Sequence, residues 1–217
     1  MKKLAIISLL FFAYNLSRAQ NFKGGIIAGI AACQVDGDGL GGYNKPGPIA
    51  GGFVTWDFTK TWSGEMQMVF IQKGARFFPK PDQIQEAQIP DLPGTVNTYN
   101  MVLSYIEVPF LLRATHKGFM YEAGLSYGRL IGSKEEVNFT DILPLIPKRQ
   151  FFNNEYGLNV GIGTMISKRI AAFARFNYSA WPIRDGGRSI LFRTGQYNNT
   201  IQITLRYFLS KPKDADN

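Results

Sequence analysis

The sequence predicts an all-β fold, an eight-stranded antiparallel up-and-down transmembrane β-barrel. Three observations carry that expectation. Hydrophobicity alternates with period two through most of the chain, the connections between the alternating runs are short and long in turn, and aromatic residues gather at both ends of those runs. Composition agrees, since 23 Gly and 14% aromatics suit many turns and pleated surfaces better than helices.

In chain order, the first segment falls outside the fold. Lys2-Lys3, an apolar run from Leu4 to Tyr14 and Ser17-Arg18-Ala19 have the charge, core and small-residue pattern of a secretory signal peptide, with cleavage expected after Ala19. The apolar run is too short to span a bilayer as a helix. The domain reading is therefore a signal peptide over 1–19, a barrel over 20–209 and a short polar tail over 210–217. Losing Lys2, Lys3 and Arg18 lowers the formal charge from +8 to +5. That balance, with no basic stripe interleaved with aromatics, gives no support to a nucleic-acid partner. The single Cys33 has no partner for an internal disulfide.

Eight candidate strands follow, over 22–35, 48–58, 62–78, 99–115, 119–131, 151–167, 170–181 and 197–209. Alternation is clearest in four of them. Met66, Met68 and Phe70 oppose Glu65, Gln67 and Lys73; Tyr156, Leu158, Val160 and Ile162 oppose Glu155, Gly157, Asn159 and Gly161. Phe176 and Tyr178 oppose Arg175, Asn177 and Ser179; Ile201, Ile203, Leu205 and Tyr207 oppose Thr200, Gln202, Thr204 and Arg206. The 103–113 stretch sets Ile106, Val108, Phe110 and Leu112 against Tyr105, Glu107, Pro109 and Arg113. Pro109 cannot donate to a ladder and is expected at a bulge or local break.

The short connections are 59–61, 116–118 and 168–169; the long ones are 36–47, 79–98, 132–150 and 182–196. Strict alternation puts all tight turns at one end with both termini, as in outer-membrane barrels, where that end is periplasmic. Trp56, Phe58, Trp62, Phe119 and Tyr207 then form one aromatic belt. Tyr43, Phe77, Phe78, Tyr99, Phe151, Phe152, Trp181 and Tyr197 form the other.

A barrel of this size has a lumen that side chains fill, so inward charges must pair. The register points Glu65, Lys73, Glu107, Arg113, Glu122, Arg175 and Arg206 inward, as a polar network rather than an ion path. Among the loops, Arg184, Arg188 and Arg193 are candidates for contact with lipopolysaccharide phosphates or a protein partner. Pro79, Pro81, Pro90 and Pro93 make the 79–98 loop a semi-rigid excursion. Chemistry-bearing patterns are sparse. Asp36-Gly37-Asp38-Gly39 lacks the later acidic ligand of an EF-hand and reads as a turn. The lone His116 falls in a short turn without a nucleophile beside it. Gly157, Gly161 and Gly163 lack the following helix of a dinucleotide site and make room for inward neighbours instead. No catalytic residue, cofactor or metal is expected.

Several motifs resemble the PorT-like small outer-membrane β-barrel family of Bacteroidota: Gln34-Val35-Asp36-Gly37-Asp38, Gly42-Tyr43-Asn44-Lys45-Pro46-Gly47 with Ala50-Gly51, Gln72-Lys73-Gly74, Tyr105-Ile106-Glu107-Val108-Pro109-Phe110-Leu111-Leu112 and Glu122-Ala123-Gly124-Leu125. The resemblance implies a closed barrel in the outer membrane and little about activity. It differs from many such barrels in running past Tyr207-Phe208-Leu209 into a polar tail. The functional expectation is an outer-membrane barrel with a structural or interaction role through its extracellular loops and no enzymatic activity. The alternatives are an accessory of a secretion or envelope-assembly machine, a membrane-embedded enzyme, and a soluble calycin-like binder, which the inward charges disfavour.

Overall fold

The computed structural model describes residues 22–38, 41–77, 96–139, 150–185 and 195–210. Among them, eight long antiparallel strands close on themselves: β1 (Phe22–Asp36), β2 (Lys45–Asp57), β3 (Trp62–Lys73), then, after the two-residue β4 (Arg76–Phe77), β5 (Val96–His116), β6 (Phe119–Phe139), β7 (Asn154–Ser167) and β8 (Ile170–Ser179). A second two-residue strand, β9 (Arg184–Asp185), precedes β10 (Gly195–Phe208). Each long strand pairs with the next, and β1 pairs with β10 from Gly25↔Phe208 to Asp36↔Tyr197, so the barrel has no open edge along its body.

The period-two pattern becomes an inside and an outside. Ile30, Met68, Phe110, Leu125, Val160 and Ile203 are among the large apolar residues exposed on the outer wall. Their inward neighbours, such as Ala31, Gln67, Leu111, Ser126, Asn159 and Gln202, are buried. Exposed apolar surface this extensive would be costly in water and suits a hydrocarbon surround. Ile106 and Val108 are outward and half-buried, while Glu107 and Arg113 are buried inward.

At one end the turns are tight. Lys117-Gly118 join the paired residues His116 and Phe119, and both turn residues have positive φ, 48° and 81°. That is the geometry a two-residue hairpin needs to match strand twist, and glycine takes it at no steric cost.

Several expectations shift. Residues 132–139 read as loop but continue β6, and 96–98 begin β5. Paired to each other from Ser104↔Gly132 up to Val96↔Phe139, these segments rise above the last β6–β7 pair, Arg129↔Asn154. Ile131 is the extra residue of a bulge between Tyr105↔Leu130 and Ser104↔Gly132. The 62–78 run breaks at Gly74, whose φ of 128° ends β3; a Cβ there would lie 2.1 Å from the Met101 carbonyl oxygen. At Pro109 no bulge forms. Its pairing to Ser126 is regular, and the β3–β5 ladder simply lacks pairs between Met66↔Phe110 and Val69↔Glu107, a break without a register change.

The belts also differ in part. Phe58, Trp62, Phe119 and Tyr207 are exposed at the tight-turn end and Trp56 is half-buried there. At the other end Phe152 and Trp181 are exposed and Tyr43 is half-buried. Tyr99 instead points inward and is 1% exposed, while Phe77 and Phe151 pack against the inner apolar cluster. Tyr197 is buried beside the Tyr178 ring, and Phe78 lies outside the described residues. Parity explains Tyr99: it shares the inward face of β5 with Met101, Leu103 and Tyr105.

Two residues of β7 separate membrane depth from packing. Val160, at mid-strand, is 62% exposed, and Ile166, beside the tight turn, is 57% exposed. Val160→Lys is expected to cost about 2–4 kcal/mol of folding stability in lipid or detergent and Ile166→Lys about 0–1 kcal/mol. Equal costs in urea unfolding would show that β7 does not cross an apolar layer.

Candidate functional site

The lumen places seven predicted residues together and adds an eighth. Glu65, Lys73, Glu107, Arg113, Glu122, Arg175 and Arg206 are each at most 5% exposed. Glu155, also buried, joins them, so four carboxylates face four cations. Its place on the polar face of β7 is legible in the sequence, among the small residues Gly157, Asn159 and Gly161.

The charges form two groups. Nearer the tight turns, Arg206 bridges Glu65 at 2.8 Å and Glu122 at 2.9 Å; Arg175 Nε donates to Glu122 at 2.8 Å, and Arg113 pairs with Glu65. Gln67 joins by accepting from Arg175 Nη1 at 3.0 Å. Three cations against two carboxylates leave this group at +1. Toward the long loops, Lys73 Nζ sits 2.8 Å from Glu107 and 2.9 Å from Glu155, leaving −1. Asn177 completes the second group. Its carbonyl accepts from Lys73 at 2.9 Å and its amide donates to Asn159 at 3.0 Å. Ser179 and Asn198 donate to Glu155 at 2.6 and 3.1 Å.

Apolar residues close both ends of this network. Phe173 lies under it, with the Arg206 guanidinium 3.5 Å and the Arg113 guanidinium 4.9 Å from the ring centroid. Beyond Phe173, Phe53 and Phe208 meet edge to face at 4.9 Å. On the other side lie Leu103, Met101, Tyr99, Cys33 and Val35, all buried. Glycines in β7 make the space that the charges fill: a Cβ on Gly157 would meet Asn177 Nδ2 at 2.7 Å, and one on Gly161 would meet Glu122 Oε1 at 3.0 Å.

The mouth is closed by the segment that leads into β9. Ile183 is fully buried, its N–H donates to the Gln196 carbonyl at 2.7 Å, and its carbonyl accepts from Phe152 N–H at 2.7 Å. Arg184, expected to reach lipopolysaccharide or a partner, is instead committed to Glu135. Its two terminal nitrogens donate to the two carboxylate oxygens at 3.0 Å each, and its guanidinium stacks 4.6 Å from the Phe151 ring centroid. Burial alone would lower the Arg184 pKa, but Glu135 holds it above the ordinary arginine value. Arg188 and Arg193 lie outside the described residues, as do Pro79, Pro81, Pro90 and Pro93.

The remaining motifs find structural roles. The Asp36 carboxylate accepts from the side-chain amides of Gln34 at 2.7 Å and Asn199 at 3.3 Å, and Tyr43 donates to Asn199 at 2.7 Å. This ties the first long loop to β10. His116 is exposed where β5 enters its tight turn.

The arrangement fills the interior with paired charge. Removing Lys73 leaves Glu107 and Glu155 facing each other without a cation. Lys73→Met is therefore expected to destabilise the barrel by about 3–5 kcal/mol. Adding Glu107→Gln and Glu155→Gln should recover most of that loss. Urea unfolding followed by tryptophan fluorescence checks both; a triple variant no more stable than the single one would refute the pairing argument.

The model of the family described as "Outer membrane protein beta-barrel domain" matches residues 18–180. No curated protein matches the chain. Among solved structures, Ail, the attachment invasion locus protein of Yersinia pestis, in complex with the heparin analogue sucrose octasulfate, is similar at 11% identity with a TM-score of 0.46, covering 87% of this chain and 99% of that one. Neisserial surface protein A is similar at 11% identity with a TM-score of 0.38, covering 86% of this chain and 96% of that one.

Proposed function

Since the chain belongs to the outer membrane protein β-barrel domain family, we propose that it works as a membrane-embedded scaffold whose biological contacts are made by its extracellular side. The carrying observation is the lumen. Four carboxylates and four cations, each ion-paired with another and capped by Phe173 on one side and Tyr99, Met101 and Leu103 on the other, occupy the interior. With the interior filled, what remains for function is the outward surface, including the β5–β6 hairpin that rises above the barrel.

The hairpin supports this reading because it is built as an ordered sheet. Its outer face carries Arg76 on Asn100 at 3.4 Å, Asn100 on Glu136 at 3.4 Å and Lys134 on Glu136 at 2.7 Å. Its inner face is anchored by Tyr99 donating to Glu135 at 2.7 Å. A rigid polar wall presents contacts at low ordering cost. The finer assignment to the PorT-like group of Bacteroidota, with export through a signal peptide cleaved after Ala19, rests on the sequence motifs and is part of the same proposal. So is the absence of enzymatic activity, supported by His116 standing exposed at the tight-turn end, away from the loops.

Two measurements test the reading. In planar bilayers the purified protein is expected to give no steady conductance; stable ohmic openings would overturn the filled lumen. Photo-crosslinkers placed at Lys134 and Glu136 in whole cells are expected to give discrete adducts of higher mass. Adducts arising solely from a mid-barrel position such as Leu158 would move the contacts from the hairpin to the membrane-facing wall.

A further inference from the structure

The outer wall carries one guanidinium whose surroundings differ from those of Arg184. Arg129 is exposed on the outward face of β6, on the last rung of the β6–β7 ladder. Its cross-strand neighbours are Ile106 on β5 and Asn154 on β7, and neither can neutralise it. Of the other charges further along β6, Lys134 and Glu136 pair with each other at 2.7 Å and Glu135 is taken by Arg184 at 3.0 Å. Among the described residues no carboxylate bridges Arg129.

The group is nevertheless held. Arg129 Nη1 donates to Asn154 Oδ1 at 2.8 Å, and Tyr127 OH donates to the same oxygen at 3.0 Å. The Tyr127 ring packs against Tyr156 at 5.7 Å between centroids. Both tyrosines are exposed, 40% and 51%, and directly below them on the same two strands lie Leu125 at 62% and Leu158 at 48%. The cation is thus oriented at the upper boundary of the apolar band, flanked by two amphipathic rings, on the long-loop side. An arginine uses one or two of its five N–H donors on Asn154 and keeps the rest of its fork for an acceptor. At this height in a bilayer the abundant acceptor is a lipid phosphate.

We infer that Arg129, oriented by Asn154 and flanked by Tyr127 and Tyr156, binds the phosphate of an outer-leaflet lipid headgroup. The phosphate belongs to a phosphorylated glycolipid or to a phospholipid; both offer at least two terminal oxygens of a tetrahedral phosphate to the guanidinium fork. Asn154 and Tyr127 are positioning residues: Asn154 holds the guanidinium and Tyr127 holds Asn154. The inference rests on the outer-membrane reading above.

The test uses the full-length barrel, exchanged in detergent against diphosphoryl lipid A, dephosphorylated lipid A or phosphatidylglycerol, with retained lipid read by native mass spectrometry. Wild type is expected to retain diphosphoryl lipid A, and Arg129→Ala to lower that retention about tenfold, the factor expected for one charge-assisted contact. Arg129→Lys should recover part of it. Arg169→Ala, at the tight-turn end where Arg169 faces Tyr207 at 3.4 Å, should match wild type. Arg129-dependent retention of phosphatidylglycerol to the same degree identifies phospholipid as the source and supports the site. Retention by Arg129→Ala equal to wild type, or equal retention of the dephosphorylated lipid, overturns it. Heat-modifiable gel mobility, recorded for each variant, confirms that the barrel is intact. A wild-type protein that fails to insert into vesicles would overturn the outer-membrane reading and the inference with it, whereas loss of the Arg129 dependence in a protein that does insert overturns the site alone.

Discussion

The pairing of Arg206 with both Glu65 and Glu122 is the constraint on which the rest of the lumen depends. An eight-stranded barrel is too narrow to hydrate its interior charges, and a buried ion without its counter-ion costs several kcal/mol. Arg206 is 0% exposed and comes from the final strand, so its partners on β3 and β6 are reached only when the barrel has closed. Charge neutrality therefore acts as a closure condition. The +1 group around Arg206 and the −1 group around Lys73 share two strands, β3 carrying Glu65 and Lys73 and β5 carrying Arg113 and Glu107.

The apolar layers then follow. Charges fixed at the middle of a lumen need low-polarity neighbours that exclude competing water, because each ion pair weakens steeply as the local dielectric rises. Phe173, with two guanidiniums over its ring, serves that end on one side, and Phe53 and Phe208 complete it. On the other side Ile183 and the Arg184–Glu135 fork hold a loop segment across the mouth. Sealing and pairing are thus one design: the hairpin wall that supplies Glu135 is also the wall that supplies Tyr99, Met101 and Leu103 to the cap.

Which parts were legible in the sequence follows from what periodicity reports. Period two is imposed wherever one face meets lipid and the other meets the lumen, so the inward positions of Glu65, Lys73, Glu107, Arg113, Glu122, Arg175 and Arg206 could be read residue by residue. Beyond the membrane that contrast vanishes. Gly132-Ser133-Lys134-Glu135-Glu136 is polar on both faces, so it reads as loop although its backbone stays in the β5 ladder. Tyr99 reads as a belt residue for the related reason that an aromatic near a strand end has the same composition signal whether it faces lipid or lumen; only parity with Met101 and Leu103 separates the two. Pro109 shows the limit on the backbone side. Its missing N–H interrupts one ladder, but the strand's other ladder, to β6, holds the register and no bulge is needed.

The arginines make the same point about function. In the sequence, Arg184, Arg188 and Arg193 have a claim on phosphate because they cluster in a loop, whereas Arg129 falls inside the strand expected over 119–131. What decides availability is the counter-charge each one meets across the sheet. Arg184 meets Glu135 and is spent on closing the mouth. Arg129 meets Ile106 and Asn154, so its charge is oriented but left unneutralised at the edge of the apolar wall. Cross-strand register, which spacing along the chain does not reveal, therefore separates the guanidinium that holds the fold from the one presented to the membrane surface.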